Sequence, residues 1–203
     1  MPESEPKVVD VVFDVEGSSL PADHAWPLLR AIEPRLPWLA GEALAGIHPL
    51  RAAPTTYGVV LLAQRAKLVL RAPAARLSDC LALQDAKLDI AGSWLRVGAG
   101  KSRPLQPCAT LSAQRVASAA GDAQEFEIEV RSLLKALAID CELISGRPRH
   151  AIAGARAIAG FALALHGLSA ADSLRVQGRG IGDDRRLGWG LFVPAKSIAA
   201  VQV

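Results

Sequence analysis

Gly180-Ile181-Gly182-Asp183-Asp184-Arg185-Arg186-Leu187-Gly188-Trp189-Gly190, followed by Leu191-Phe192-Val193-Pro194, is the stretch on which the fold turns. Two Gly-x-Gly pairs flank a polar spacer with adjacent arginines. Glycine allows close backbone approach and positive φ, and arginine offers a planar fork that matches phosphate. Leu187, Trp189, Leu191 and Val193 alternate, which predicts that the loop runs into a strand. A glycine loop with arginines beside a sheet edge suits a polyanion backbone; the alternative is a solvated hairpin tip. Two nucleotide-binding folds are disfavoured. A dinucleotide fingerprint needs G-x-G-x-x-G opening a helix, but counted from Gly178 the sixth position is Asp183, and a strand is expected next. A P-loop at Gly100-Lys101-Ser102 would start at Leu95, and Pro104 stands where its helix should begin.

The rest of the chain supplies a different frame. Residues 7–15, Lys7-Val8-Val9-Asp10-Val11-Val12-Phe13-Asp14-Val15, are rich in β-branched side chains and predict a strand. Asp23 is placed to cap a helix from about His24 to Ile32, ended by Pro34 and Pro37. A short strand is expected from Gly46 to Leu50, a longer one from Tyr57 to Leu70, a helix from Pro73 to Leu83 and a strand from Leu88 to Val97. The order β-α-β-β-α-β is the split unit of ferredoxin-like folds. Residues 100–108 have a linker composition, and the order then repeats. A strand covers Ala109 to Ala117. A helix over Ala123 to Leu137 carries Phe126, Val130, Leu133, Leu134 and Leu137 at helical spacing. Strands at Cys141 to Ile144 and Ala151 to Leu165 flank an arginine-rich turn, Gly146-Arg147-Pro148-Arg149-His150. A short helix from Ser169 or Ala170 to Gln177 leads to the loop. The expectation is an α+β chain of two tandem ferredoxin-like domains, 1–103 and 104–203, the second holding the glycine-rich loop 178–190.

Composition narrows the function classes. Half of the 203 residues are hydrophobic, enough for a sizeable core. No apolar run of about 18 residues suggests a membrane span, and Met1-Pro2-Glu3-Ser4-Glu5 lacks the layout of a signal peptide. Cys80, Cys108 and Cys141 are odd in number and far apart, which fits buried thiols in a reducing cytoplasm. The net charge of +3 says little by itself, but arginine greatly outnumbers lysine, and the cations gather at 96–103, 147–156, 175–186 and 196. The scattered carboxylates give little support to metal-assisted hydrolysis.

The spacing G-h-G-x5-G-h-G with a basic spacer, so near the C-terminus, resembles one family. It is the CRISPR-associated repeat-cleaving endoribonucleases, the Cas-six family within the RAMP superfamily. Leu20-Pro21-Ala22-Asp23-His24 before the first helix, Leu36-Pro37-Trp38-Leu39 after it and Gly46-Ile47-His48-Pro49-Leu50 beyond are similar to the MYXAN subtype, as is Arg186 to Pro194. The similarity runs through nearly the whole chain. It implies the same two-domain architecture and binding of a hairpin in CRISPR repeat RNA. It further implies cutting at or near the hairpin's 3′ base, and retention of the guide RNA beside other effector-complex subunits. No metal or other cofactor is expected.

Metal-free RNA cleavage uses the ribose 2′-OH as nucleophile, so the protein needs a base, an acid and a cation. Histidine suits either proton role. His24 sits at a helix start, where the positive helix end favours the neutral base form, or is simply a polar residue at that position. His48 lies beside an apolar stretch and reads either as a catalytic group or as a satisfied core or turn histidine. His150 is placed for phosphate contact, and His166 for a structural role. The family resemblance implies a catalytic histidine just after Pro-Trp-Leu, where this chain has Ala40, and often a histidine where it has Ala195. The chain is then an inactivated variant, or a member that uses His24 or His48, or one that binds without cutting. The expected RNA contacts are Arg147, Arg149, Arg179, Gly180, Gly182, Arg185, Arg186, Gly188, Gly190 and Lys196, with Lys101 and Arg103 next. Asp183 and Asp184 read as a solvated turn. Trp189 reads as a surface for stacking on a base or, as its alternate spacing favours, as a strand residue packed on the core; Trp26, Trp38 and Trp94 are expected in the core.

Overall fold

Along β1 (Val8–Glu16), Val9, Val11 and Phe13 are buried at alternate positions, the pattern of a strand with one face on a core. The computed structural model describes residues 7–55 and 58–195. It divides the chain into two units, Met1–Pro104 and Leu105–Val203. In the first unit β1 is followed by β2 (Ser19–Pro21), α1 (Ala25–Ile32), a 3₁₀ turn over Pro37–Gly41 and β3 (Gly46–Ile47). Next come β4 (Ala52–Pro54), β5 (Val59–Leu62), β6 (Lys67–Pro73), α2 (Leu77–Cys80), β7 (Lys87–Ile90) and β8 (Ser93–Pro104). The main sheet runs β3-β6-β1-β8-β7 and is antiparallel throughout. Without the edge strand β7, that is second-third-first-fourth, the ferredoxin-like arrangement. Val9, Val11 and Phe13 lie opposite Ala72, Leu70 and Leu68 of β6. Leu28, Leu29 and Ile32 of α1 are buried as well.

The second unit repeats the plan with β9 (Thr110–Ala117), α3 (Ala123–Ala136), β10 (Glu142–Ala153), β11 (Arg156–His166), α4 (Ala170–Arg179) and β12 (Val193–Pro194). Its sheet order, β10-β11-β9-β12, is again second-third-first-fourth. Asp122 caps α3 by accepting the Glu125 N–H at 2.9 Å, and Ser169 caps α4 by accepting from Asp172. Phe126, Val130 and Leu134 of α3 meet Leu111, Phe161, Leu163 and Leu165 of the sheet in one core, where Phe126 stacks on Phe161 at 4.9 Å. Ile181 and Phe192, on either side of the glycine loop's spacer, belong to the same core.

Several local expectations need correcting. The expected strand over 57–70 is two, β5 and β6, and β5 pairs with β2 and β4 in a separate three-stranded sheet. The helix over 73–83 is a broken series, with 3₁₀ turns on each side of α2. Leu88 to Val97 folds into a hairpin, because Ala91 and Gly92 take positive φ and reverse the chain. Residues 100–104 are not a linker but the end of β8, paired with β1. The last strand is only Val193–Pro194. Leu187 closes a 3₁₀ turn, and positive φ at Gly188 and Gly190 prevents an extended run.

Candidate nucleic-acid interface

The glycine loop is wound on itself. It leaves α4 at Gly180, whose φ of 73° ends the helix, and Gly182, Gly188 and Gly190 also have positive φ. A Cβ on Gly180 would strike the Gly190 carbonyl and the Arg185 guanidinium, and one on Gly190 would strike the Ile181 carbonyl. Gly180 and Gly190 therefore bring the two Gly-x-Gly pairs together with no room for a side chain at either position. Gly190 N–H donates to the Arg115 carbonyl at 2.8 Å, which ties the loop to β9. Arg185 braces it from within. It is only 7% exposed, and its Nη2 donates to the Gly178 carbonyl at 2.9 Å. Its expected place on the loop surface is thus corrected: Arg185 shapes the loop, while Arg179, Gly182 and Asp183 face solvent and Arg186 is half-buried. Trp189 is fully buried, with the Arg115 guanidinium over its ring at 5.6 Å, though it is not in a strand.

The β10–β11 hairpin stands beside this loop in the same sheet system. Arg147 is exposed at an irregularity between Ser145 and Pro148. Arg149 donates from Nε to the Gln114 carbonyl at 3.2 Å, and His150 is exposed. Arg156, at the start of β11, forms a two-pronged ion pair with Asp184. Asp184 is therefore no solvated turn residue; it clamps the glycine loop to the hairpin. Lys196 lies outside the described residues.

Among the proton-transfer candidates of the first unit, His24 immediately precedes α1, and its Nδ1 lies 3.0 Å from the Pro21 carbonyl. A carbonyl only accepts, so Nδ1 carries a proton, and in the neutral imidazole the lone pair is then on Nε2. Ala40 is exposed on the 3₁₀ turn Pro37–Gly41. His48 is placed differently, nearly buried after β3 with Nε2 3.5 Å from Asp10 Oδ1. Asp10, on β1, accepts from Arg71 Nε at 2.9 Å and from Arg103 Nη2 at 3.1 Å, and both arginines are its register partners on the neighbouring strands. Burial pushes His48 below the ordinary histidine range, against the pull of Asp10. Of its two readings, as a catalytic group or as a core or turn histidine, this placement favours the second: His48 belongs to a largely buried charge cluster.

The matching family model is described as Cas6 Crispr and covers residues 9–197. A CRISPR-associated endonuclease Cas6 of Myxococcus xanthus (strain DK1622) is 38% identical over 195 residues, 96% of this chain and 84% of that one. The chain belongs to the Cas6 family. Solved structures share its fold at low identity. A CRISPR-associated protein Cas6 superposes with a TM-score of 0.66 at 12% identity, covering 94% of this chain and all of that one. A structure described as a RAMP protein binding different RNA substrates gives 0.65 at 11%, covering 91% and 98%.

Within this Cas6 family chain, sequence reasoning missed the Arg156–Asp184 clamp, the Asp10–Arg71 pair and the position of Trp94, which is 52% exposed rather than in the core. The two ion pairs join residues 28 and 61 positions apart, and no local pattern signals them. Among the described residues no three His, Cys, Asp or Glu side chains group to hold a metal ion. Nor is any helix there long and apolar enough to cross a membrane. Cys80 is buried, and burial pushes its thiol up to about 11; Cys108 and Cys141 are half-buried.

Proposed function

We propose that this chain binds the hairpin of CRISPR repeat RNA and cleaves the precursor without a metal ion, then stays on the mature guide in the cytoplasm among other effector subunits. The observation that carries this reading is the self-wound glycine loop, braced by Arg185 and clamped to an arginine-bearing hairpin, in a chain of the Cas6 family. Such a loop offers backbone N–H groups and the side chains of Arg179 and Arg186 to phosphates. A-form RNA hides its major-groove base edges, so a hairpin is recognised by shape, ends and backbone. In the cleavage step a base takes the 2′-OH proton, the 2′-oxygen attacks phosphorus, and the bond to the 5′-oxygen breaks as an acid protonates it. The products are a 2′,3′-cyclic phosphate and a 5′-hydroxyl. His24 is the candidate base: with Nδ1 donating to the Pro21 carbonyl, its neutral form presents Nε2 as the accepting nitrogen.

A second reading is favoured by Ala40. If the position after Pro37-Trp38-Leu39 is the family's base position, its exposed methyl moves no proton, and the chain is a guide-RNA holder. One experiment decides: a labelled repeat in EDTA with the wild type, His24→Gln and Ala40→His. Cleavage by the wild type that His24→Gln abolishes, with binding kept, is the expected result. Cleavage only by Ala40→His establishes the holder. Absence of binding by all three overturns both readings.

A further inference from the structure

The β7–β8 hairpin of the first unit carries an aromatic side chain that the core does not use. Ala91 and Gly92, at φ of 50° and 86°, form its two-residue turn, and Asp89 Oδ1 accepts the Gly92 N–H at 2.7 Å. This is a tight, rigid reversal. Trp94 follows two residues later. Leu95 and Val97 are buried, so Trp94 and Arg96 stand on the opposite face. Register pairs Asp89 with Trp94 and Lys87 with Arg96. Lys87 Nζ lies 4.2 Å from the indole centroid and holds the ring in place, yet 52% of Trp94 remains open. Arg96 is 65% exposed, with Glu16 3.8 Å away. Further along β8, past a shift in register, exposed Lys101 and Arg103 lie opposite Val12 and Asp10, off the core face.

An exposed aliphatic residue is ordinary on a protein surface. An indole with Lys87 over its ring and Arg96 two residues along the same sheet face is different, because it combines a stacking surface with phosphate-binding charge. That pairing is what single-stranded nucleic acid requires: every base has a π-face, and each linkage carries one negative charge. We propose that this face is a second RNA contact, where Trp94 stacks on a base of the single-stranded segment flanking the repeat hairpin and Lys87 and Arg96 hold the adjacent phosphates. The proposal rests on the repeat-RNA reading above.

The test compares two RNAs on the full chain, the repeat hairpin alone and the hairpin with its flanking single strands, by fluorescence anisotropy. The flanks should tighten binding to the wild type. Trp94→Ala should weaken binding of the flanked RNA by roughly five- to a hundredfold, the range of one base–aromatic stack, and leave the bare hairpin unchanged. Trp94→Phe should restore part of the loss. Lys87→Gln with Arg96→Gln should lower the salt dependence for the flanked RNA alone, by about 0.7 in logarithmic slope for each phosphate no longer neutralised. Equal effects of Trp94→Ala on both RNAs, or none on either, overturn the second contact while the repeat-RNA reading stands. If the wild type binds neither RNA, that reading itself falls and the second contact with it.

Discussion

Asp10 sits in a run of valines whose sequence announces only a strand, and the structure makes it the centre of a buried charge cluster. Burial opposes its charge, but the nearby His48 imidazole, the hydrogen bonds from Arg71 and the Arg71 charge hold its carboxyl well below the usual range. His48 is the neighbour whose burial couples folding to pH. Burial lowers it, the Arg71 and Arg103 charges lower it further, and Asp10 opposes them. Its native pKa is therefore below the value of about 6.5 of the unfolded chain. Above that pH both states carry neutral imidazole. As pH falls below it, the unfolded chain takes up a proton that the native chain refuses, so the stability present above 6.5 is lost towards the native pKa. In urea denaturation the wild type should lose up to about 1.4 kcal/mol per pH unit over that window relative to His48→Gln. Parallel pH curves for the two proteins would refute the assignment. The cluster was not legible in the sequence, because register pairing, not proximity in the chain, brings Arg71 and Arg103 onto Asp10.

Among the elements, α3 was legible because a 14-residue helix repeats its apolar side chains often enough to fix the period. The glycine loop was legible as a loop, but not in its exit. The alternation of Leu187, Trp189, Leu191 and Val193 mimics a strand. Asp184, Gly188 and Gly190, all at positive φ, instead wind this segment into a turn that buries Leu187 and Trp189. The same ambiguity hid the β7–β8 hairpin, where Gly92 was the only local sign of a reversal. Gly190→Ala tests the loop's construction. The new methyl would meet both an unfavourable φ of 62° and the Ile181 carbonyl, at a cost of about 1–3 kcal/mol. Gly41→Ala is the matched control, with nothing within 4 Å of its Cβ and an ordinary φ, and should stay within about 0.5 kcal/mol of wild type. Equal urea midpoints for the two variants would show that the loop is not close-packed.

Across the whole molecule, repetition of one strand-helix order was the most legible feature, and the main sheet of each unit contains the second-third-first-fourth order that repetition requires. Net charge was the least informative, since +3 on 203 residues distinguishes few functions. If RNA binding depends on where charge stands rather than on its sum, two variants of identical net charge should behave differently. Arg179→Gln with Arg186→Gln removes two cations at the glycine loop; Arg131→Gln with Lys135→Gln removes two from α3, where both are exposed. Each phosphate contact on a duplex releases about 0.9 counterions. The loop variant should therefore flatten the logarithmic salt dependence of repeat-hairpin binding by up to about 1.8, and the α3 variant should leave it unchanged. Equal flattening would mean that the protein attracts RNA by overall charge, and the glycine loop would lose its place as the interface.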